Sequence, residues 1–404
     1  MTLYYCPLEP YKERYTEQWS APKTGWLERN WIKAYIPYFR VEGNRVIQSQ
    51  RPMQKGVVLD GVRRCRYAMS QVDELLCLIE DEKITDQDDI YFDDFWHPGI
   101  ESLPYCFDIL DVHPNMYAFL HAQSIDQYDF TYSMRGWMRH FERGIQRSLK
   151  GIFTSCPTLA NLIVNKIGGS LETNVHVTGH PFCSEEVKER MPPNFDLEMN
   201  RENKVVWSSR WDKEKNPDFF MDVAEDILNG GSGVTFVVCT GAKNLRSNDF
   251  NLIARARELQ RDFPKYFLVK ENLTKEEYYK ELCTAKIQFN CADQDFVAIT
   301  LLEASVAGCF PVYPRFRSFP ETFCGISRYM YTHKNHEEAV FKILSILERD
   351  DLWTLKELKK REWIHKRFDT TWERQLKIMK FHRAPKWRRE DYIIDSPFAN
   401  YGYE

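Results

Sequence analysis

The sequence predicts an α/β protein of two domains, each built on a doubly wound and mainly parallel sheet. Short apolar runs typical of buried strands alternate with amphipathic helical segments along most of the chain. One polar segment with two adjacent prolines, residues 184–203, interrupts that alternation. The 404 residues suffice for two domains of ordinary size, each with its own core. Alternating strands and helices favour parallel sheets, because each return to the next strand needs a helix-length connection.

The elements of the first half follow in chain order. Apolar runs predict strands at residues 3–6, 57–61, 89–93, 116–123, 151–155 and 174–179. Periodic apolar positions predict a helix that begins near residue 25 and helices over residues 63–80 and 137–150. In an open α/β sheet, the loops that leave the strands are the usual place for a ligand.

The second half begins after the polar segment 184–203, which is predicted to be an interdomain linker because it lacks apolar periodicity. Strands are predicted at residues 204–209, 235–241, 266–270, 287–291 and 312–314. Helices are predicted over residues 218–228, from Thr274 onward with a capping box to Glu277, and from about residue 298 to a turn at Gly308.

Composition excludes several classes of protein. Lys and Arg total 55 against 59 Asp and Glu, so a net charge of −4 gives no global basic field for a polyanion. The 11 cysteines are scattered without zinc spacing, which favours reduced thiols. No apolar run approaches the length of a membrane span, and residues 1–6 lack a signal sequence. We therefore expect a soluble cytoplasmic protein with no membrane attachment.

The stretch from residue 287 to residue 314 predicts an anion site. A helix that starts near residues 298–300 directs unpaired N–H groups and the positive end of its dipole into the loop before it. Asp295 precedes that turn, and Glu303 lies about one turn inside the helix. Two carboxylates would flank a bound phosphate.

Two cations follow the strand at residues 204–209. Arg210 comes directly after it, and Lys215 precedes the next helix, with Lys213 as a nearby substitute. Fixed cations at the end of a strand are suited to an anionic ligand.

The order of these elements resembles the GT-B superfamily of retaining, nucleotide-sugar-dependent glycosyltransferases. Its signature is an acid, seven residues, a Glu, a Gly and a Pro-Val strand, which here are Asp295, Glu303, Gly308 and Pro311-Val312. The first acid is Asp in place of the usual Glu, and bulkier residues replace the glycines that commonly follow it. The resemblance covers residues 204–314.

The resemblance implies two Rossmann-like domains with a donor and acceptor cleft between them. The implied bounds are residues 1–183 for the acceptor-side domain, 184–203 for the linker, 204–375 for the donor-binding domain, and 376–404 for a tail that packs back on the first domain. Residues 151–155 and 174–181 also resemble the last strand units of GT-B first domains.

The resemblance also implies the roles of individual residues. Arg210 and Lys215 would hold the donor diphosphate, Asp295 the hydroxyls of the transferred sugar, and Glu303 the nucleotide ribose. The nucleotide base would contact Asn272 and Leu273, largely through main-chain groups. The residues implied to bind the donor also include the first residues of the helix predicted from about residue 298: Ile299, Thr300 and Leu301. His121, at the end of a strand of the first domain, would face the sugar and complete a catalytic set with Asp295, Arg210 and Lys215.

The expected donor substrate is a nucleotide-diphosphate sugar, and specifically a UDP-sugar. No cofactor or metal is expected to be required. The transferred group would be a hexose or a pentose. A metal-dependent alternative rests on Asp293-Gln-Asp295, the triplet with which GT-A enzymes bind a divalent cation. Here the triplet lies inside the GT-B order, where cations already serve the diphosphate. Walker, Gly-X-Gly-X-X-Gly and Gly-X-Ser-X-Gly motifs are absent from the sequence.

The preferred acceptor follows from a resemblance to bacteriophage enzymes that glycosylate hydroxymethylated cytosine in duplex DNA, which would place the protein in the host cytoplasm. A basic helical face with Arg139 and Arg143 would contact DNA phosphates, Asp93 would contact the acceptor, and residues 363–389 form a second basic, aromatic stretch. The alternatives are transfer to a cell-surface glycan or lipid-linked sugar, and a non-catalytic protein that binds sugar nucleotides or nucleic acid on a degenerate GT-B scaffold.

Overall fold

The computed structural model describes residues 1–8, 23–24, 26–27, 33–35, 41–42, 45–46, 61–193, 195–197, 201–323 and 325–381. Contacts divide the chain into two units. The first unit comprises Met1–Pro181 and the segment that starts at Thr371, and the second unit comprises Phe182–Thr370. The predicted strand at 57–61 lies outside the described residues except for Gly61, which begins a helix.

The first unit contains one parallel sheet of six strands in the order β2-β1-β5-β6-β7-β8. Strands β3 and β4 form a separate antiparallel hairpin. The strands are β1 Leu3–Cys6, β2 Ala34–Tyr35, β3 Val41–Glu42, β4 Arg45–Val46, β5 Asp89–Phe92, β6 Asn115–Leu120, β7 Gly151–Thr154 and β8 Val175–Val177. The helices up to β8 are α1 Gly61–Glu80, α2 Ser102–Leu110, α3 Arg135–Ser148 and α4 Pro157–Lys166.

The second unit contains another six-stranded parallel sheet, in the order β11-β10-β9-β12-β13-β14. Its strands are β9 Glu202–Trp207, β10 Thr235–Cys239, β11 Phe267–Lys270, β12 Ala285–Phe289, β13 Phe310–Arg315 and β14 Met330–Thr332. Its helices are α5 Ser184–Glu189, α6 Pro217–Asn229, α7 Phe250–Asp262, α8 Lys275–Thr284, α9 Ile299–Val306, α10 Phe319–Thr322, α11 His336–Leu347, α12 Leu355–Arg361 and α13 Trp363–Asp369. The prediction of two α/β domains with parallel sheets is confirmed.

The last described helix, α14 Thr371–Phe381, belongs to the first unit. Trp372 packs into the core of that unit, with its ring centroid 5.7 Å from the Tyr5 ring on β1 and 5.3 Å from the Tyr91 ring on β5. The Tyr91 hydroxyl donates a hydrogen bond to Gln375 Oε1 at 3.0 Å. A buried aromatic cluster therefore joins residues from both ends of the described chain.

The turn after α9 requires a glycine. Gly308 has a φ of +79°, and a Cβ at this position would lie 2.5 Å from the Arg201 guanidinium. That buried guanidinium donates hydrogen bonds to the carbonyls of Ala307 at 2.7 Å and Ala285 at 2.9 Å. The predicted end of α9 at Gly308 is present, and Arg201 ties it to the start of β12.

Helix α9 is also held from its other side. The buried His365 on α13 has its Nδ1 atom 3.0 Å from Ser305 Oγ on α9. Burial, and secondarily the charge of Lys188, lowers the pKa of His365 to about 4. The imidazole is therefore neutral at neutral pH, and α9 rests on an uncharged hydrogen bond.

The His365→Asn variant is expected to lose less stability on acidification than the wild type. Between pH 6.5 and 4 the unfolded chain binds a proton at His365 that the folded chain does not, so the free energy of unfolding falls as pH falls. From pH 7 to pH 5 this amounts to roughly 2 kcal/mol. Urea unfolding followed by Trp fluorescence at the two pH values measures the difference, and the exposed His113→Asn is the matched control. An equal loss in His365→Asn and wild type contradicts the assignment.

Candidate functional site

Two predicted site residues meet at the carboxyl edge of the second sheet. Strands β9 and β12 are parallel neighbours, so the loops that follow them leave the sheet side by side. Lys215, from the first loop, places Nζ 2.8 Å from Asp295 Oδ1 in the second, and Nζ also donates to the Gln294 carbonyl. The Lys215 side chain is buried, whereas the Asp295 side chain is 23% exposed. The pair is thus fixed on one side and accessible on the other.

The loop that carries Asp295 is tied down through both its side chain and its main chain. Asn290 Nδ2 donates to Asp295 Oδ2 at 3.3 Å, and Ser318 Oγ donates to the Asp295 carbonyl at 2.7 Å. Asn290 itself accepts a hydrogen bond on its carbonyl from the Tyr331 hydroxyl at 3.1 Å. Hydrogen bonds of this kind hold a carboxylate in place before a ligand arrives.

Lys215 is presented by a 3-10 turn that ends at Asn216. Asn216 has a φ of +50°, a conformation that asparagine tolerates better than most residues. Its side chain donates to the Cys291 carbonyl at 2.8 Å, and the Asp293 N–H donates to the Glu214 carbonyl at 2.7 Å. These bonds lock the turn against the loop after β12.

Arg210 lies near this pair in sequence but has other partners. Its exposed guanidinium forms ion pairs with Asp212 at 2.8 Å and Glu214 at 2.7 Å. Exposed pairs of this kind are weak and exchange readily. A diphosphate bound by Arg210 would have to replace these two carboxylates.

Glu303 is buried on α9 and is already paired. Its Oε1 accepts from Lys275 Nζ at 2.7 Å and from the Tyr279 hydroxyl at 3.0 Å, both on α8. Lys275 was not among the predicted site residues, although the capping box of Thr274 and Glu277 places it at the first position of α8. A ribose hydroxyl that bound Glu303 would share the carboxylate with this ammonium.

A second charged cluster lies beside Asp295 and consists of Asp293, His333 and Lys334, of which only Asp293 was considered from the sequence. Asp293 Oδ1 is 2.5 Å from His333 Nε2, and Asp293 Oδ2 is 3.1 Å from Lys334 Nζ. Burial raises the pKa of Asp293, but hydrogen bonds from Asn216, Lys334 and His333 outweigh it, and the pKa lies below its usual value. The two acids of the Asp-Gln-Asp triplet therefore serve separate cations. Among the described residues, no cluster of His, Cys, Asp and Glu side chains is suited to hold a metal ion.

The remaining predicted donor residues differ in what they expose. The N–H groups of Asn272 and Leu273 donate to the carbonyls of Ala242 and Thr240. A nucleotide base would therefore contact Asn272 and Leu273 through their own carbonyl oxygens. At the start of α9, Ala298 provides no side-chain cap, so the N–H groups of Ile299 and Thr300 have no acceptor within the helix. Leu301 is fully buried, and its N–H donates to the Ala298 carbonyl.

In the first unit, His121 and Asp93 lie together at the carboxyl ends of β6 and β5. His121 Nε2 is 2.9 Å from the Asp93 carbonyl. Burial, followed by the nearby His180, lowers the pKa of His121 well below its usual value. The Asp93 carboxylate is fully buried and binds Lys23 and the Tyr5 hydroxyl, so it presents no surface to an acceptor within this unit.

The predicted basic face on α3 is only partly free. Arg143 is exposed, but its guanidinium donates to the Lys166 carbonyl at 3.2 and 3.3 Å and so caps the C-terminus of α4. Arg139 is half-buried. Arg147, at the end of α3, is exposed.

No helix among the described residues has the length and apolarity needed to span a bilayer.

Comparisons with known proteins identify the fold. No family model matches the chain. A sucrose-phosphate synthase from Thermosynechococcus elongatus aligns with 95% of this chain and 100% of its own, with a TM-score of 0.65 and 9% identity. TarM of S. aureus, solved with UDP, fondaparinux and α-GlcNAc-glycerol, aligns with 75% of this chain and 58% of its own, with a TM-score of 0.55 and 18% identity. The chain has the GT-B fold predicted from the sequence.

Among curated proteins, a relative is similar in sequence to part of this chain. A Drosophila melanogaster tRNA-queuosine alpha-mannosyltransferase is 25% identical over 119 residues. The match covers 30% of this chain and 30% of that protein, so less than a third of the relative's length is aligned.

The Lys275→Met variant is expected to destabilise the second unit by about 3 kcal/mol, because it leaves the buried Glu303 carboxylate without its cation. Adding Glu303→Gln to Lys275→Met should recover most of that loss, since a neutral amide needs no counter-ion. Thermal unfolding of the single and double variants measures both effects. Lys188→Ala, which breaks an exposed ion pair with Glu185, is the control and should change little. A double variant no more stable than Lys275→Met contradicts the charge argument.

Proposed function

We propose that this chain is a retaining glycosyltransferase that moves a sugar from a nucleotide-diphosphate donor to a hydroxyl acceptor. The observation that carries the proposal is the Lys215–Asp295 pair at the carboxyl edge of the second sheet, beside the uncapped start of α9. In this arrangement a cation, a partly exposed carboxylate and two helical N–H groups lie around one loop. Together they are suited to a phosphorylated sugar.

The donor residues act through charge. Lys215, which is paired with Asp295, stabilises the negative charge that grows on the diphosphate as its bond to the sugar breaks. Arg210 exchanges Asp212 and Glu214 for the same diphosphate. Asp295 then accepts hydrogen bonds from sugar hydroxyls.

The chemistry requires no additional base. The acceptor oxygen forms a bond to the anomeric carbon, the bond from that carbon to the donor phosphate breaks, and the acceptor proton passes to the leaving phosphate oxygen. Fixed cations lower the cost of that departure, so the proposed reaction is independent of divalent metal. Activity that persists in EDTA supports this part of the proposal.

A UDP-sugar is the proposed donor, because TarM of S. aureus, which shares the fold, was solved with UDP. The curated relative is a mannosyltransferase, so an activated mannose belongs in any donor panel. Glu303 is the proposed ribose ligand, and the carbonyls of Asn272 and Leu273 are the proposed base contacts.

The proposed acceptor is a hydroxyl on a modified nucleoside of a nucleic acid. The resemblance to bacteriophage enzymes favours hydroxymethylcytosine in duplex DNA. The curated relative acts on tRNA-queuosine, which favours queuosine as a second candidate. Transfer to a cell-surface glycan and non-catalytic binding are the competing functions.

A panel of radiolabelled nucleotide sugars, incubated with modified and unmodified forms of both nucleic acids, tests the acceptor. Label on only one modified nucleic acid identifies the acceptor and the donor together. If the donor is slowly hydrolysed but neither nucleic acid is labelled, the transferase proposal stands and both proposed nucleoside acceptors are rejected. If no donor is bound or consumed, the enzyme proposal fails.

The Asp295→Asn variant is expected to lower kcat for donor turnover by about 100-fold with UDP affinity retained, because the carboxylate acts on the sugar and not on the nucleotide. Lys215→Ala should lower kcat by a similar factor and weaken UDP binding as well. The exposed Lys213→Ala, two residues earlier, is the matched control and should behave as wild type. Kinetics and UDP calorimetry on the three variants decide the roles. Equal losses at Lys213 and Lys215 would contradict them.

A further inference from the structure

The outward face of α3 and the turn before it present an unusual surface. Phe130, Met134 and Trp137 are 56%, 40% and 55% exposed, although large apolar side chains normally avoid water. Arg135, at the start of α3, is also exposed, and its guanidinium lies 4.3 Å from the Tyr132 ring centroid and donates to the Tyr132 carbonyl at 3.1 Å. We call this set, together with the exposed Gly144 and Arg147, the Trp137 surface: Phe130, Met134, Arg135, Trp137, Gly144 and Arg147.

The inward side of α3 packs against the rest of the first unit, and these contacts hold the helix in place. Met138 and Ile145 are buried in the first unit. Glu142 is also buried, and it accepts hydrogen bonds from Ser124 N at 3.0 Å and Ser124 Oγ at 2.6 Å. Because Glu142 is the only acid in α3, the outward side of the helix carries cations without any carboxylate.

Gly144 is a glycine that the fold itself does not require. It lies in the helix interior without a positive φ, and a Cβ added there would meet no atom within 4 Å. Glycine in a helix interior is less stable than alanine, so the chain forgoes stability at this position. A helix surface without a side chain lets the backbone of another molecule approach closely. Gly136, nearer Trp137, is equally open.

We propose that the Trp137 surface binds an unpaired stretch of the nucleic acid acceptor, an inference that rests on the proposed function and specifies its partner. Trp137 and Phe130 stack on bases, which is how proteins hold single strands without reading sequence. Arg135 and Arg147 bind phosphates, and the backbone of the strand passes over Gly144.

An anionic membrane is the other partner that a basic, aromatic surface suits. A helix that lies on a bilayer needs a continuous apolar face to bury in it. The apolar face of α3, with Met138 and Ile145, is packed inside the first unit, and the outward face between Trp137 and Arg147 contains glycine and cations. These observations favour the nucleic acid.

Binding of a fluorescent RNA stem-loop and of a DNA duplex, each about 20 nucleotides long, tests the proposal at several salt concentrations. Trp137→Ala should weaken stem-loop binding by about tenfold through lost stacking. Arg147→Gln should reduce the slope of log affinity against log salt by about 1. Gly144→Ala should weaken binding while raising the melting temperature by about 2 °C, a combination that a purely structural role does not produce.

Matched controls lie in the same unit. Tyr105→Ala removes another exposed aromatic, Arg66→Gln another exposed cation, and Gly61→Ala fills another open helical glycine. All three should bind as wild type. If the Trp137, Gly144 and Arg147 variants also bind as wild type, the proposal is overturned. It is overturned equally if they lose only binding to phosphatidylserine vesicles.

UDP calorimetry on the same proteins separates this proposal from the proposed function. If the surface variants lose stem-loop binding and keep UDP binding, both stand. If wild type transfers sugar to a small hydroxyl acceptor but binds no nucleic acid, the surface fails and the transferase stands. If wild type binds the stem-loop through Trp137 but neither binds nor consumes any donor, the transferase fails and the surface stands.

Discussion

The arrangement of the site depends on the ion pair between Lys215 and Asp295. These residues are far apart in sequence, and only the parallel pairing of β9 with β12 brings their loops to one edge of the sheet. Hydrogen bonds from Asn216 to Cys291 and from Ser318 to Asp295 then fix both loops. Because the cation and the carboxylate neutralise each other, two charges can be held in a largely buried position until a ligand with charges of its own arrives.

The same principle applies to the other charged groups at this edge. Glu303 is matched by Lys275, Asp293 by Lys334, and Arg210 by Asp212 and Glu214. When an anionic ligand binds at such a site, it replaces a carboxylate as the partner of a cation, so no side-chain charge has to be left unpaired beforehand. The buried pairs hold the framework rigid, whereas the exposed Arg210 is the group that can reorient at little cost.

Local signals in the sequence were enough to predict most of the described strands, though not β2, β3, β4 or β14, and the end of α9 at Gly308. They also placed Lys215 and Asp295 in loops that follow strands, but not the adjacency of those strands. They were insufficient where a side chain's partner comes from a distant segment. The burial of Asp93 depends on Lys23 and Tyr5, and the engagement of Arg143 depends on where α4 ends. Lys275 was missed because a capping box predicts a helix start but not which way the first side chain points.

The core of the first unit includes Trp372 and Gln375 of α14, which follow residues 182–370 in the chain. Among the described residues, the second unit is in contrast one continuous stretch, Phe182–Thr370. On the ribosome, domains usually complete folding in the order in which they are made. Here the segment Met1–Pro181 has to wait for α14 before its core is complete, while the segment Phe182–Thr370 can fold before α14 is made. Nascent chains stalled before residue 371 would therefore carry an exposed aromatic core on their first unit, the state for which chaperone protection matters most.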